Sequence, residues 1–171
     1  MRVQKLFLFT IIATSLLSCQ KKNSEVEPKI DDITFSYVSG LRIPFNQVNV
    51  SISKTNDNQS AFAIVQCEPL SDDPKWKYSK INKYVDIDIK TFERFAKSAS
   101  DLNKINIDIA DLQGLDGSTW KIEFGAKGKN TSYSFWCPMT NEKERGLTEF
   151  VNLSKQILEK VKLDKKEILE N

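Results

Sequence analysis

Residues 85–102 read VDIDIKTFERFAKSASDL, and the hydrophobic period changes inside this stretch. Val85, Ile87 and Ile89 alternate with Asp86 and Asp88, the period of a half-buried strand. Beyond Lys90 the apolar residues Phe92, Phe95, Ala96, Ala99 and Leu102 fall three or four apart, so they share one helical face. Thr91, directly before the first of them, is the expected N-cap. A chain that passes from strand to helix in mid-sequence and then returns to strands points to an α+β fold rather than a sandwich or a bundle.

Working outward, the same two periods account for the rest of residues 31–171. Ile33, Phe35 and Tyr37 alternate up to Ser39-Gly40, and Val48, Val50 and Ile52 alternate up to a turn at Asn56-Asp57-Asn58. The returning strand, 61–67, has Phe62, Ile64 and Cys67 as its apolar positions, and 75–90 holds the strand that ends in the opening stretch. On the C-terminal side, Ile105, Ile107 and Ile109 predict a strand. Trp120, Ile122 and Phe124 predict another, and a turn over 125–130 leads to a last one with Tyr133, Phe135 and Cys137, closed by Pro138. Asn141 and Glu144 form a capping box ahead of a long helix whose inner face is Leu147, Phe150, Val151, Ser154, Ile157, Leu158 and Val161. The expected architecture is an antiparallel sheet of five or six strands, with a short middle helix and a long C-terminal helix packed on one face.

Composition narrows the chemistry. The chain has 171 residues, 40% hydrophobic and 28% charged, enough for a single core. It contains no histidine. That removes the usual general base near neutral pH, the commonest zinc ligand, and every Ser-His or Cys-His nucleophile pair. Setting aside Arg2 and Lys5, basic and acidic residues balance at 23 each. A neutral surface has no long-range attraction for nucleic acid, which is not expected as a partner. No phosphate-binding loop or nucleotide fingerprint occurs, and no cofactor is expected.

The N-terminus carries an address. Arg2 and Lys5 precede an uncharged stretch, 6–17 (LFLFTIIATSLL), followed by Ser18-Cys19. This is a basic region, a short apolar region and a small residue before a cut, and the apolar run is too short to span a bilayer. Leu16-Leu17-Ser18-Cys19 resembles the lipobox of bacterial lipoproteins. Leu16 matches the preferred leucine, Ser18 the small residue and Cys19 the residue that is lipidated. Leu17 is bulkier than the residue often found there.

The resemblance implies that 1–18 is a signal peptide and that Cys19 becomes an N-terminus carrying fatty acyl groups such as palmitate. It also implies a protein held at the cell envelope by lipid. Gln20, where an aspartate would mark retention at the inner membrane, points to the outer membrane, on its periplasmic or its surface side. Residues 19–30 then form a polar tether.

Among candidate site residues, Cys67 and Cys137 are an even pair in an exported chain and predict one disulfide. Trp136 is out of phase with Phe135, so it belongs to the opposite sheet face, where with Trp76 and Tyr78 it would make a contact patch for a partner. Asn106, Asp108, Asp111 and Asp116 carry oxygens that suit hard cations, but their spacing fits no calcium loop, and no metal site is expected. Asp86, Asp88, Asp108 and Glu123 are the candidates for a carboxylate pair in a hydrolase of envelope polymers. The expected function is a small non-enzymatic envelope lipoprotein that binds a protein, peptide or glycan partner. The alternatives are that hydrolase and a structural accessory of an envelope complex.

Overall fold

A computed structural model describes residues 29–170. The lipobox and Cys19 lie outside the described residues. The fold is α+β, with six strands in one antiparallel sheet and the helices on one of its faces. β1 (Asp32–Ser39), β2 (Gln47–Lys54), β3 (Ser60–Glu68) and β4 (Ile81–Asp88) come first, with a 3₁₀ turn at Pro74–Ser79 before β4. Then follow α1 (Ile89–Asp101), a 3₁₀ turn at Leu102–Lys104, α2 (Ile107–Ala110), β5 (Ser118–Ala126), β6 (Lys129–Trp136), α3 (Thr148–Lys160) and α4 (Lys165–Leu169). The sheet order is β4-β3-β2-β1-β5-β6, so the first strand sits at the centre.

Register explains the core. One row across the sheet runs Ile81, Cys67, Val48, Tyr37, Trp120 and Phe135, each paired with the next. Because side chains alternate across a strand, the rows two residues away on every strand face the same way. Ile33, Phe35, Val50, Ile52, Ala63, Val65, Ile122 and Phe124 are accordingly all buried. α1 contributes Phe92, Phe95 and Ala99 to this face, and α3 contributes Phe150, Val151, Leu153, Ile157 and Leu158. The Phe150 ring stands edge-on to Phe135 with centroids 5.0 Å apart, which fixes α3 over the β6 side. The opposite face carries a polar array, in which Ser36 Oγ donates to Asn49 Oδ1 at 2.9 Å and the Thr34 and Ser51 hydroxyls lie 3.2 Å apart.

Several local expectations need correction. On β3 the inward residues are Ala61, Ala63, Val65 and Cys67, so Phe62 and Ile64 lie half-buried on the polar face. Small inward residues leave room for α1, which large ones would fill. α1 is capped by Asp88 rather than Thr91, because the Asp88 carboxylate accepts the Thr91 N–H and Thr91 is itself buried within the first turn. Residues 105–109 are not a strand. Asn106 caps a short helical turn by accepting the N–H groups of Asp108 and Ile109, and Ile107 and Ile109 are exposed. The capping box at Asn141 does not start the long helix; Asn141 has φ +52 within a turn, and α3 begins at Thr148.

The disulfide expectation also fails. Cys67 and Cys137 are free thiols. Cys67 shares a row with Phe135, with β2, β1 and β5 in between. Four strand spacings amount to about 19 Å, and Cys137 lies just beyond that row's far end. A disulfide needs its Cα atoms within roughly 7 Å.

Candidate functional site

The two ends of the sheet differ in what they carry. The described chain enters at one end, where the Asp31 N–H donates to the Gly125 carbonyl and the Asp31 carbonyl accepts from Lys54. The other end, where β1, β3 and β6 finish, gathers the long connections 40–46, 69–80, 111–117 and 137–147. Among them opens a cleft of about 450 Å³ whose walls include Tyr37, Arg42, Ser118, Cys137, Met139 and Leu169.

Each wall follows from the row structure. Tyr37 is an inward residue of the central strand, its ring tilted against Trp120 at 6.4 Å, and the length of the side chain brings its hydroxyl to the sheet end. There it accepts a hydrogen bond from the Arg42 guanidinium at 3.2 Å. Burial raises the Tyr37 pKa, opposed by the Arg42 charge and the hydroxyls of Ser39 and Ser118, so the phenol stays protonated. Trp120 Nε1 donates to Ser118 Oγ at 3.0 Å, which holds that hydroxyl in place.

Cys137 is set by its backbone. The strand pattern predicts Cys137 as a further inward strand residue, but it turns out of β6 with φ +40. Its N–H donates to the Ser118 carbonyl at 2.8 Å, and its own carbonyl accepts from Thr140 N and from Arg145. The turn aims the thiol into the cleft against Gly117, where a Cβ would collide with Cys137 Sγ and crowd the Trp136 ring. Gly114 is covered by the same ring. Trp136 is therefore on the face opposite the helices, as its phase predicts, but it is roofed by 114–117 and only part-exposed.

Arg145 organises this corner. It is 6% exposed, and its guanidinium donates to the carbonyls of Ala110, Cys137, Thr140 and Trp136 at 2.8 to 3.1 Å. Burial lowers its pKa, offset mainly by Cys137 and Asp111 nearby. Nothing in the sequence marks Arg145 as different from the other charges around it. Arg42, in a loop of ordinary composition, also leaves no sequence signal. Tyr37 is legible only as a core residue.

The expected contact patch does not assemble. Trp76 and Tyr78 are neighbours, with centroids 6.4 Å apart, and Tyr78 stands edge-on to Phe45 at 6.3 Å. Tyr78 donates its hydroxyl to Glu167 at 2.7 Å, which raises its pKa. That group lies beside the β4 edge, whereas Trp136 ends the opposite edge strand.

The carboxylates are likewise scattered. Asp88 caps α1 and pairs with Lys160 at 3.0 Å, which holds its pKa well below the ordinary range with help from Thr91. Glu123 is lowered by Lys121 and Asn130. Both are held as structural anions, unlike a general acid, whose pKa is raised. Cys67 is pushed up to about 12 by burial, so its thiol is inert.

Among the described residues no group of three potential metal-ligating side chains forms, and no helix is long and apolar enough to cross a membrane. The cleft brings together the Arg42 guanidinium, the Glu170 carboxylate, several hydroxyls, a thiol and an apolar wall, an arrangement suited to holding a ligand by polar and apolar contact. No protein-family model matches the chain, and no curated protein is significantly similar to it in sequence.

Proposed function

We propose that the protein is an envelope lipoprotein, probed at its N-terminus by lipid and at the far end of its domain by a protein partner. The observation that carries the partner reading is the set of aliphatic residues exposed on the loops at the cleft end of the sheet, of which Leu41 lines the cleft itself. Leu41 is 68% exposed, Leu70 50%, Ile43 40% and Leu115 fully so. Leu70 N–H donates to the Ile43 carbonyl, so two of these tips are joined. Apolar residues exposed on neighbouring loops at one end of a sheet support a place where another macromolecule excludes water.

The anchoring part of the proposal rests on the resemblance of 16–19 to a lipobox. With that anchor, the arrangement is directional. The tether joins the domain at Lys29, and β1 spans about 24 Å from there to the cleft end. The partner surface lies at the end of the domain remote from the tether.

The test is capture of partners from the native envelope by mild crosslinking, with wild type compared with the Leu41→Asp, Ile43→Asp double variant, alongside mass spectrometry of the mature N-terminus. A lipidated Cys19 and partners lost in the double variant are expected. An unmodified N-terminus would remove the anchoring half. Capture undiminished by the two charges would remove the docking half.

A further inference from the structure

We infer that the connection 106–117 is a docking surface for a cationic polypeptide segment with apolar side chains. This rests on the docking role proposed for this end of the sheet and states the chemistry of what docks.

The surface comes from the stretch whose alternation predicts a strand. With no sheet to bury them, its aliphatic side chains stand in water: Ile107 is 50% exposed and Ile109 58%, and Leu115 follows on the same connection, fully exposed. The backbone beneath them is held. Arg145 Nε donates to the Ala110 carbonyl at 2.9 Å, its Nη2 reaches the Trp136 carbonyl at 3.1 Å, and the Trp136 ring covers Gly114. Ala110 and Gly114, which separate the isoleucines from Leu115, are thereby pinned to one corner at the end of β6. A patch fixed before binding loses little further freedom when a partner arrives.

Charge names the partner. Asp108, Asp111 and Asp116 interleave with the aliphatic residues, and Glu142 and Glu144 lie in the turn that Arg145 holds beside Ala110. Lys143 is the only basic residue of 106–117 and 138–144. Among the described residues no ion pair engages Asp108 or Asp116, in contrast to Asp88. A second copy docking through the same surface would set carboxylate against carboxylate, and anionic lipid headgroups would meet the same sign. Lysine or arginine side chains beside apolar ones satisfy both components, the cations facing the aspartates while hydrocarbon covers the isoleucines.

The protein, immobilised through its N-terminal region, is titrated with the synthetic peptide acetyl-LKKLLKLLKKLLKL-amide. Two counterparts are run beside it, one with glutamate for every lysine and one with serine for every leucine. We expect the first to bind saturably and the other two to bind at least about tenfold more weakly, the scale of one buried aliphatic side chain. Ile107→Ser, Ile109→Ser should weaken the first peptide about tenfold. Asp108→Asn, Asp116→Asn should weaken it about fivefold and flatten its dependence on salt. Circular dichroism confirms that both variants fold.

Equal binding of all three peptides, no saturable binding of the first, or binding that neither pair of substitutions weakens would each overturn the inference. So would capture of phosphatidylcholine vesicles that Ile107→Ser, Ile109→Ser abolishes, which would assign the surface to a bilayer. If the first peptide fails to bind while Leu41→Asp, Ile43→Asp still loses the partner, the cationic-segment reading alone falls and the docking surface stands.

Discussion

Arg145 holds Cys137 in its turn: one guanidinium nitrogen donates to the Cys137 carbonyl at 2.8 Å and to the Thr140 carbonyl at 3.0 Å. The other two nitrogens reach Ala110 and Trp136. A single side chain thus ties α2, the end of β6 and the following turn into one corner. Replacing Arg145 with Met leaves buried carbonyls without donors, and a loss of about 3 kcal/mol is expected, since bonds to charged groups are individually strong and orphaned acceptors are costly. Urea unfolding of the two proteins measures it. Arg145→Lys should recover only a small part, because an ammonium cannot reach the same acceptors in the fork geometry.

The thiols should separate cleanly. In the folded protein, one of the two domain cysteines reacts with an alkylating reagent, and peptide mapping places the label on Cys137. Cys67, with its pKa pushed to about 12 inside the core, is labelled only when the protein is unfolded. A fast second label in the folded state, or a disulfide-linked peptide pair under non-reducing conditions, would contradict the strand order described above.

Gly117 tests how tightly the cleft is packed. Its φ is +150, and an added Cβ meets the Cys137 sulfur and the Trp136 indole. Gly117→Ala is expected to cost roughly 1–3 kcal/mol through overpacking, with a change in tryptophan emission as the Trp136 ring shifts. Gly40→Ala, with open space around its Cβ position, serves as the control and should lie within about 0.5 kcal/mol of wild type.

Acid stability should depend on Asp88. Its pKa is depressed by Lys160 and by the Thr91 groups it accepts from. A depressed carboxylate contributes stability that is fully present above its unfolded value of about 3.9 and is lost as pH falls through the lower native value. Unfolding midpoints followed from pH 6 downward, across about four units, should show a shallower acid decline for Asp88→Asn than for wild type. Parallel curves would mean that Asp88 carries none of the linkage.

Much of the fold is legible in the sequence. Strands with strict alternation, such as 33–37 and 120–124, were recognisable because one face is dry and the other wet along their whole length. The strand-to-helix switch after Asp88 was equally plain. Two of the failures share a cause: alternation is ambiguous when polar residues can bond locally. At 105–109, Asn106 captures two backbone N–H groups and turns an apparent strand into a helical turn. At 137, Arg145 and Ser118 override the strand period. The cleft was less legible still. Its cation lies in the β1–β2 loop, its phenol reads as core and its thiol as half of a disulfide, and only the sheet order brings the three together.

The central position of β1 governs the timing of assembly. β2, β3 and β4 can add to one side of it as they emerge, but the other side waits for β5, which pairs Gly125 with Asp32 across most of the domain's sequence. Until then the N-terminal half-sheet exposes β1 as an unsatisfied edge, with Ile33, Phe35 and Tyr37 beside it and α3 not yet made. Pairing so distant in sequence slows closure, and an unpaired β1 edge is the kind of edge at which chains can pair with one another. The sheet is therefore complete only once the last third of the chain is in place.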